Sequence, residues 1–253
     1  MTPRTSSRPG TLAIGTAGWA YDSWRTVLYP SDLPKSDWLT FYSSRFASTE
    51  INSSFYRTPT FKAVAAWHDQ TPGTFTFAWK ASKFITHWKR LTQNCENSIA
   101  LMQSRLEVLG PKLAVVLFQL PPRFSKDTVR LSGFLEMLPT RYRYAFEFRD
   151  KSWFTADVFD TLRHYDVALC VSDHADAPGP WHATARHVYV RGHGPAGNYR
   201  GRYSTRALRQ WAKIALAWLN EGRDVFIYFD NDQKAAAPID AEHLLKIMKQ
   251  IRS

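Results

Sequence analysis

Eight short apolar segments of strand length recur along the chain, with helix-length segments between them. They span residues 12–18, 47–52, 75–82, 113–122, 144–150, 167–173, 187–194 and 225–232. Each is rich in β-branched or aromatic residues and ends in polar ones, as buried strands do. Alternation of strands with helices favours parallel pairing through right-handed crossovers. Eight such units in about 250 residues match the usual size of a closed β/α barrel.

We therefore predict an α/β fold, a single TIM-type (β/α)8 barrel that tolerates irregular units, over residues 11–253. Residues 1–10 are polar and lack an apolar segment, so they are predicted to form a disordered tail. An open, doubly wound sheet is the alternative. The first strand runs into GTAGWAY, which lacks the glycine spacing of a dinucleotide-binding turn.

The chain is strongly basic, with a formal net charge of +11, and it contains ten Trp residues. Such an excess favours a polyanionic partner, whether DNA, RNA, a phosphorylated ligand or an acidic membrane surface. Basic and aromatic residues are interleaved in two segments without Asp or Glu, residues 70–95 and 177–220. The pattern suits phosphate contacts with stacking on bases or sugars. It suits equally well helix faces that are basic for solubility alone.

The cysteine content and the hydropathy of the chain indicate its cellular compartment. Cys95 and Cys170 are far apart and form no Cys-x-x-Cys pair, which argues against a disulfide framework and a thiolate zinc site. No apolar stretch approaches the roughly 20 residues that span a bilayer. We expect a cytoplasmic protein without a membrane association.

Polar or charged residues lie at or near the carboxyl ends of successive predicted strands. They are Glu50, Asn52, Lys80, Gln119, Glu147, Arg149, Asp173, His174, Arg191, His193, Asp230 and Asp232. Side chains alternate between the two faces of a strand. In the fifth predicted strand this places Glu147 and Arg149 on the face opposite Phe146 and Phe148. The charged face is therefore predicted to point into the barrel mouth, where it must pair or bind a ligand.

Several of these strand ends carry longer motifs. They include GTAGWAYDSWRTVLYP (15–30), STEINSSFYRTPT (48–60), FAWKASKFITH (77–87), FQLPPRF (118–124), YAFEFRDKSWF (144–154), VSDH (171–174), VYVRGHG (188–194), YRGRYS (199–204) and FIYFDND (226–232). In these motifs the chain resembles the YecE-like family, known as domain of unknown function seventy-two. The resemblance implies a β/α barrel and no settled activity. Two positions depart from the family pattern: Gly192 replaces a larger apolar residue, and Asp230 replaces Asn.

The favoured hypothesis is a phosphate-directed protein that binds nucleic acid or a phosphorylated metabolite and hydrolyses it. The catalytic candidates are Glu147 as general base, with Asp173 and His193. The ligand-binding candidates, which match the family's polar motif positions, are Glu50, Asn52, Tyr56, Lys80, Gln119, Arg149, Trp153, Arg191, Tyr203 and Asn231. A divalent metal is not favoured, because Lys and Arg compete for the carboxylates. No metal ligand and no cofactor is assigned.

Two other functions stay open. A sugar-directed enzyme would use Glu50 and Glu147 as its carboxylate pair, although barrel glycosidases commonly place their acid after the fourth strand, where this chain has Gln119. A non-catalytic binding protein is the other alternative, since no Ser-His-Asp set or G-x-S-x-G elbow is present. On that reading Lys80, Glu147 and Arg149 form an ionic plug without catalytic duty.

Overall fold

The computed structural model describes residues 8–252, so residues 1–7 of the predicted tail lie outside the described chain. Eight strands and seven α-helices occupy the described range. The strands are β1 (Leu12–Thr16), β2 (Ser48–Ile51), β3 (Thr76–Lys80), β4 (Leu113–Gln119), β5 (Tyr144–Glu147), β6 (Ala168–Ser172), β7 (His187–Gly192) and β8 (Asp224–Phe229). The helices are α1 (Trp38–Arg45), α2 (Phe61–Asp69), α3 (Glu96–Leu109), α4 (Thr128–Glu136), α5 (Ala156–His164), α6 (Thr205–Asn220) and α7 (Ala236–Arg252).

All strand pairs are parallel, in the order β1-β8-β7-β6-β5-β4-β3-β2. The two ends of this sheet meet at a bridge between Ala17 and Glu50. The approach is close: a Cβ on Gly15 would lie 1.9 Å from the carbonyl oxygen of Ser48, so only glycine permits it. The sheet is a nearly closed barrel. The TIM-type prediction is confirmed, and the open-sheet alternative is wrong.

Alternating side chains build two apolar layers. In β5, Phe146 points outward into the large core between strands and helices, while Ala145 points into the barrel. The barrel interior holds a smaller cluster that includes Cys170, Tyr189 and Tyr228. The predicted alternation is therefore confirmed for β5. The inner apolar layer ends just below the carboxyl ends of the strands, where charged side chains replace it.

The connection from β6 to β7 breaks the strict alternation of strands and helices, because no α-helix lies between them. The segment contains Pro178, Gly179 and Pro180, which disfavour a helix. Trp181 packs instead against Trp218 of α6, with ring centroids 5.9 Å apart. The barrel is irregular at this unit, where the connection packs against α6 through Trp181.

The strands end earlier than the sequence pattern predicts. The last predicted strand reaches residue 232, whereas β8 ends at Phe229. The polar residues beyond the strand ends lie in loops at one end of the barrel. At the chain's start, the backbone N–H of Gly10 donates to the carbonyl of Leu219 at 2.9 Å. No helix in residues 8–252 is both long and apolar enough to cross a membrane.

Candidate ligand site at the mouth of the barrel

A polar cavity of about 770 Å³ opens at the carboxyl ends of the strands. Its lining includes Asn52, Lys80, His87, Gln119, Tyr199 and Asp232. A cavity of similar volume opens at the amino ends, but its arginines Arg141 and Arg143 are paired with carboxylates. Working residues of β/α barrels lie at the carboxyl ends of strands. The carboxyl-end cavity, here called the mouth cavity, is therefore the candidate site.

Arg191 of β7 is the centre of a buried charge network below this cavity. Its guanidinium is fully buried and donates to Glu50 at 2.8 and 3.0 Å, to Glu147 at 2.8 Å and to Asp230 at 2.8 Å. Tyr189 donates a further bond of 2.7 Å to Glu50. Burial disfavours the cation, but the three carboxylates overcome it and hold the pKa of Arg191 well above its usual value.

Arg149, two residues beyond β5, extends the network. Its Nη2 lies 2.6 Å from Glu147, and its Nη1 donates to the hydroxyl of Tyr199 at 3.1 Å. Glu147 also accepts a bond of 3.1 Å from Ser172. Burial alone would raise the pKa of Glu147, but the two arginines hold it well below its usual range. Glu147 is therefore an anion with both oxygens engaged.

His193 follows β7 and joins the network to the next loop. Its Nε2 lies 3.1 Å from guanidinium nitrogens of both Arg149 and Arg191, which only donate. Nε2 is therefore placed to accept from them, and Nδ1 faces the hydroxyl of Ser172 at 3.3 Å. The backbone N–H of His193 donates to Asp173 at 2.6 Å. We call Arg191, Glu50, Glu147, Asp230, Arg149 and His193 the floor of the cavity.

Lys80, the last residue of β3, stands on the cavity wall and differs from the floor arginines. Its side chain is 5% exposed, and its Nζ lies 4.4 Å from the centroid of the Phe55 ring. It makes no ion pair with any carboxylate of residues 8–252. Burial, together with the charge of Arg191, lowers the pKa of Lys80 to about 8.

Two other wall side chains each contain an oxygen that lacks a partner. Among the described residues, the Oδ1 atoms of Asn52 and Asp232 are buried without a hydrogen bond. Burial and the neighbouring charge of Asp230 raise the pKa of Asp232 to about 8. Burial and nearby cations, Lys80 first among them, lower the pKa of His87 to about 4. At neutral pH the wall thus presents a protonated carboxyl group and a neutral imidazole.

Exposed aromatic rings and cations surround the opening. Tyr56 and Trp88 are each 67% exposed, and the Nζ of Lys83 lies 5.7 Å from the centroid of either ring. Trp88 ends a π-helical turn, Phe84–Trp88, a geometry that occurs often at functional sites. On the opposite side, Tyr199 and the exposed Arg200 line the opening. Lys83 and Arg200 make no ion pair within the described chain.

A family model described as "Protein of unknown function DUF72" matches residues 13–253. The chain belongs to this family. The UPF0759 protein YunF of Bacillus subtilis is 27% identical over 94% of each chain. The crystal structure of a DUF72 protein from Thermotoga maritima, 24% identical, covers 94% of this chain and 99% of its own, with a TM-score of 0.86. One from Enterococcus faecalis, 17% identical, covers 94% and 96%, with a TM-score of 0.82.

Most of the predicted site residues of this DUF72 protein come together. Five of them belong to the floor: Glu50, Glu147, Arg149, Arg191 and His193. A sixth, Asp173, lies beside the floor and accepts a hydrogen bond from the backbone N–H of His193. Four more line the mouth cavity: Asn52, Tyr56, Lys80 and Gln119. The convergence of strand ends on one cavity follows from the closed parallel barrel.

Three predicted ligand-binding residues belong neither to the cavity lining nor to the floor. Trp153 is fully buried, stacks on Phe148 at 4.6 Å and donates its indole N–H to the backbone of Phe124. Asn231 donates to Asp240 at 2.9 Å and so joins the end of β8 to α7. Tyr203 donates its hydroxyl proton to Asp173 beside the floor. The donor groups of all three side chains are used within the protein, so these residues support the site and do not face the cavity.

Several groups that the DUF72 site contains were not among the predicted site residues. Tyr199 has a positive φ of 66°, a rare conformation for a non-glycine residue, which no sequence pattern signals. Ser172 and Tyr189 could have been found, because they lie two residues from Cys170 and Arg191 on inward-facing strand positions. Asp232 was named among the strand-end residues, but nothing in the sequence indicates that one of its oxygens is buried without a hydrogen bond.

The carboxylates of the floor are engaged by arginine. Within residues 8–252 no group of three or more His, Cys, Asp or Glu side chains is arranged to hold a metal ion. Glu50 and Glu147, the pair considered for sugar chemistry, both accept hydrogen bonds from Arg191. A carboxylate in two charge-assisted bonds is a poor proton donor. The geometry therefore gives no support to a glycosidase acid at either residue.

Proposed function

We propose that this DUF72 protein binds a phosphorylated small molecule in the mouth cavity. The observation that carries the proposal is the contrast among its cations. Arg149 and Arg191 are bound to carboxylates, whereas neither Arg200, which lines the cavity, nor Lys83, which lies 5.7 Å from the ring of the lining residue Tyr56, makes an ion pair in the described chain. Unpaired cations at the edge of a concave site favour an anionic ligand, and arginine suits phosphate oxygens in particular.

The size and polarity of the cavity favour a small molecule. A volume of about 770 Å³ falls within the range of small-molecule sites, about 300–1,000 Å³. The buried Oδ1 atoms of Asn52 and Asp232 lack partners, and a buried polar atom without one is costly. Ligand hydroxyl groups would supply those partners. In this proposal the phosphate faces Lys83 and Arg200, and the polar body of the ligand faces Asn52, Lys80 and Asp232.

The floor has a supporting role in the proposal. Arg191 has its guanidinium N–H groups directed at three carboxylates, so it orients the strand ends rather than binding phosphate. Glu147 serves as the partner of two arginines. Its depressed pKa makes it a weak base, and general bases work best with a pKa near the operating pH. The hydrolytic step with Glu147 as base is therefore not part of the proposal.

A second candidate ligand is single-stranded DNA or RNA. Tyr56 and Trp88 are two strongly exposed rings with the Lys83 ammonium between them. Bases stack on exposed aromatic side chains, and lysine contacts the backbone. A strand bound in this way would lie outside the cavity. Its affinity would fall steeply with salt concentration.

Thermal-shift screening tests the first proposal. Sugar phosphates are expected to raise the melting temperature, and the same sugars without phosphate are not, because only ligands of the folded form stabilise it. The double variant Lys83→Ala/Arg200→Ala should weaken binding by about tenfold or more. The control is Arg186→Ala/Lys249→Ala, which removes the same charge near the amino ends of the strands. Equal losses in both double variants would contradict the proposal.

Fluorescence titration with a short single-stranded oligonucleotide at several salt concentrations tests the second candidate. Binding that depends steeply on salt and disappears in Tyr56→Ala and Trp88→Ala would favour it. Binding that is unchanged in both variants would exclude stacking on this surface.

A further inference from the structure

The amine of Lys80 is more deeply buried than contact with a phosphate group requires. Its amine is almost fully buried, lies against the Phe55 ring and reaches the cavity from the end of β3. Phosphate contacts at the opening are available from Lys83 and Arg200, which are more accessible to solvent. A desolvated, unpaired lysine favours its neutral form, and the neutral amine is the nucleophile in carbonyl chemistry.

The charged and titratable groups facing Lys80 come from several elements: Glu50, Glu147, Arg191, Asp230 and His87. Burial and Arg191 lower its pKa to about 8, while the three carboxylates oppose that shift. An exposed lysine has a pKa near 10.4. At neutral pH the neutral fraction of Lys80 is therefore on the order of a hundredfold larger than that of an exposed lysine.

The same cavity contains groups suited to proton transfer. Asp232 lines it and remains protonated at neutral pH, since burial and Asp230 raise its pKa to about 8. His87 lies with its ring centroid 5.1 Å from that of Phe55, on which Lys80 also rests. Its imidazole is neutral at the same pH and so adds no positive charge beside the amine. An amine and a proton donor thus line one cavity.

We propose that Lys80 forms an imine with the carbonyl carbon of a phosphorylated aldehyde or ketone held in the mouth cavity. The inference rests on the proposed phosphate-binding function and names the ligand class more closely. The nitrogen lone pair forms a C–N bond, and the carbonyl π electrons move to oxygen, which takes one of the two nitrogen protons. Asp232 then protonates the resulting hydroxyl group, which leaves as water. As water leaves, the nitrogen lone pair forms the second C–N bond, and the Asp232 carboxylate takes back the second nitrogen proton, so amine and carbonyl yield imine and water.

Reductive trapping tests the proposal. The protein is incubated with glycolaldehyde phosphate and sodium cyanoborohydride, and adducts are located by intact mass and peptide mapping. The expected result is one principal adduct, on Lys80, whose rate of formation rises with pH to a midpoint near 8. Lys80→Arg keeps the positive charge and should remove the adduct. Lys249→Arg, an exposed lysine far from the cavity, should label as the wild type does.

The outcomes separate the two proposals. Adducts distributed over the exposed lysines, with Lys80 unmodified, would overturn imine formation. If glycolaldehyde phosphate still raises the melting temperature in that case, phosphate binding stands alone. If glycolaldehyde with and without phosphate labels Lys80 equally, and no phosphorylated compound raises the melting temperature, the phosphate class is overturned and the nucleophilic lysine remains. Should Lys80→Arg not fold, the wild-type adduct map decides the question by itself.

Discussion

The floor and the wall of the mouth cavity each contain a buried cation, Arg191 and Lys80, and the two differ in pairing. Arg191 on the floor donates four bonds to three carboxylates, whereas Lys80 on the wall has no carboxylate partner in the described chain. Buried charge alone therefore does not mark a ligand site. Buried polar groups in proteins are normally satisfied, so the unsatisfied ones need a separate explanation.

The pKa directions show the same contrast. On the floor, burial would raise the pKa of Glu147, but the arginines lower it, so the charged form dominates. On the wall, opposite charges do not outweigh the effect of burial, which raises the pKa of Asp232 and lowers that of Lys80. Ion pairing favours charged forms and desolvation favours neutral ones. The floor thus favours charged side chains, and the wall favours neutral ones.

The largest expected effect is on the floor, in Arg191→Met. The variant leaves three buried carboxylates without their shared cation, which is expected to cost about 3–5 kcal/mol in unfolding free energy. Urea denaturation measures this. Arg186→Met is the control, because that side chain is 90% exposed and its loss should change stability by less than about 0.5 kcal/mol. A loss near that of the control would show that the floor is not structural.

Glu147→Gln keeps the shape of the side chain and removes its charge. We expect a loss of about 2–4 kcal/mol at neutral pH, since Arg149 and Arg191 lose a partner. The folded pKa of Glu147 lies below its ordinary value of 4.5, so its stabilisation is present above that pH and disappears as pH falls below it. Urea denaturation of both proteins should show the difference shrinking below about pH 4. A constant difference would contradict the pairing.

On the wall, Lys80→Met should have the opposite sign. Replacing an unpaired buried cation by an apolar side chain is expected to stabilise the ligand-free protein by about 1–2 kcal/mol. The folded pKa near 8 lies below the unfolded value of 10.5, so the gain is largest below pH 8 and declines towards 10.5. Thermal denaturation across that range measures it. Destabilisation at neutral pH would mean that Lys80 is paired after all.

Asp232→Asn is expected to have the smallest effect, a gain on the order of 1 kcal/mol at neutral pH. The folded pKa near 8 lies above the ordinary value of 3.8, so the carboxyl group destabilises the folded protein increasingly as pH rises between these values. The gain should grow over the same interval and be absent below it. Denaturation at acidic and neutral pH measures the difference. A gain that is independent of pH would exclude a proton held at Asp232.

Much of the fold and part of the site followed from the sequence. The two-residue alternation correctly placed Glu147 opposite Phe146 in β5, and the strand ends correctly predicted that Lys80, Arg149 and Arg191 converge. The resemblance to the family placed Trp153 and Asn231 with the ligand-binding residues, where the structure shows them bonded within the protein. A motif records that a residue is shared, and it does not record which atoms its side chain meets.

The sequence by itself determined the barrel, the inward face of each strand and the end at which the charges collect. These depend on local periodicity and on the handedness of short connections, which each segment carries within itself. Only the tertiary structure decided which charges are paired. Arg191 and Glu50 are 141 residues apart and meet at 2.8 Å, whereas Lys80, on a nearer strand, meets no carboxylate. Pairing depends on ångström-scale distances between side chains from separate strands, and no local pattern encodes them.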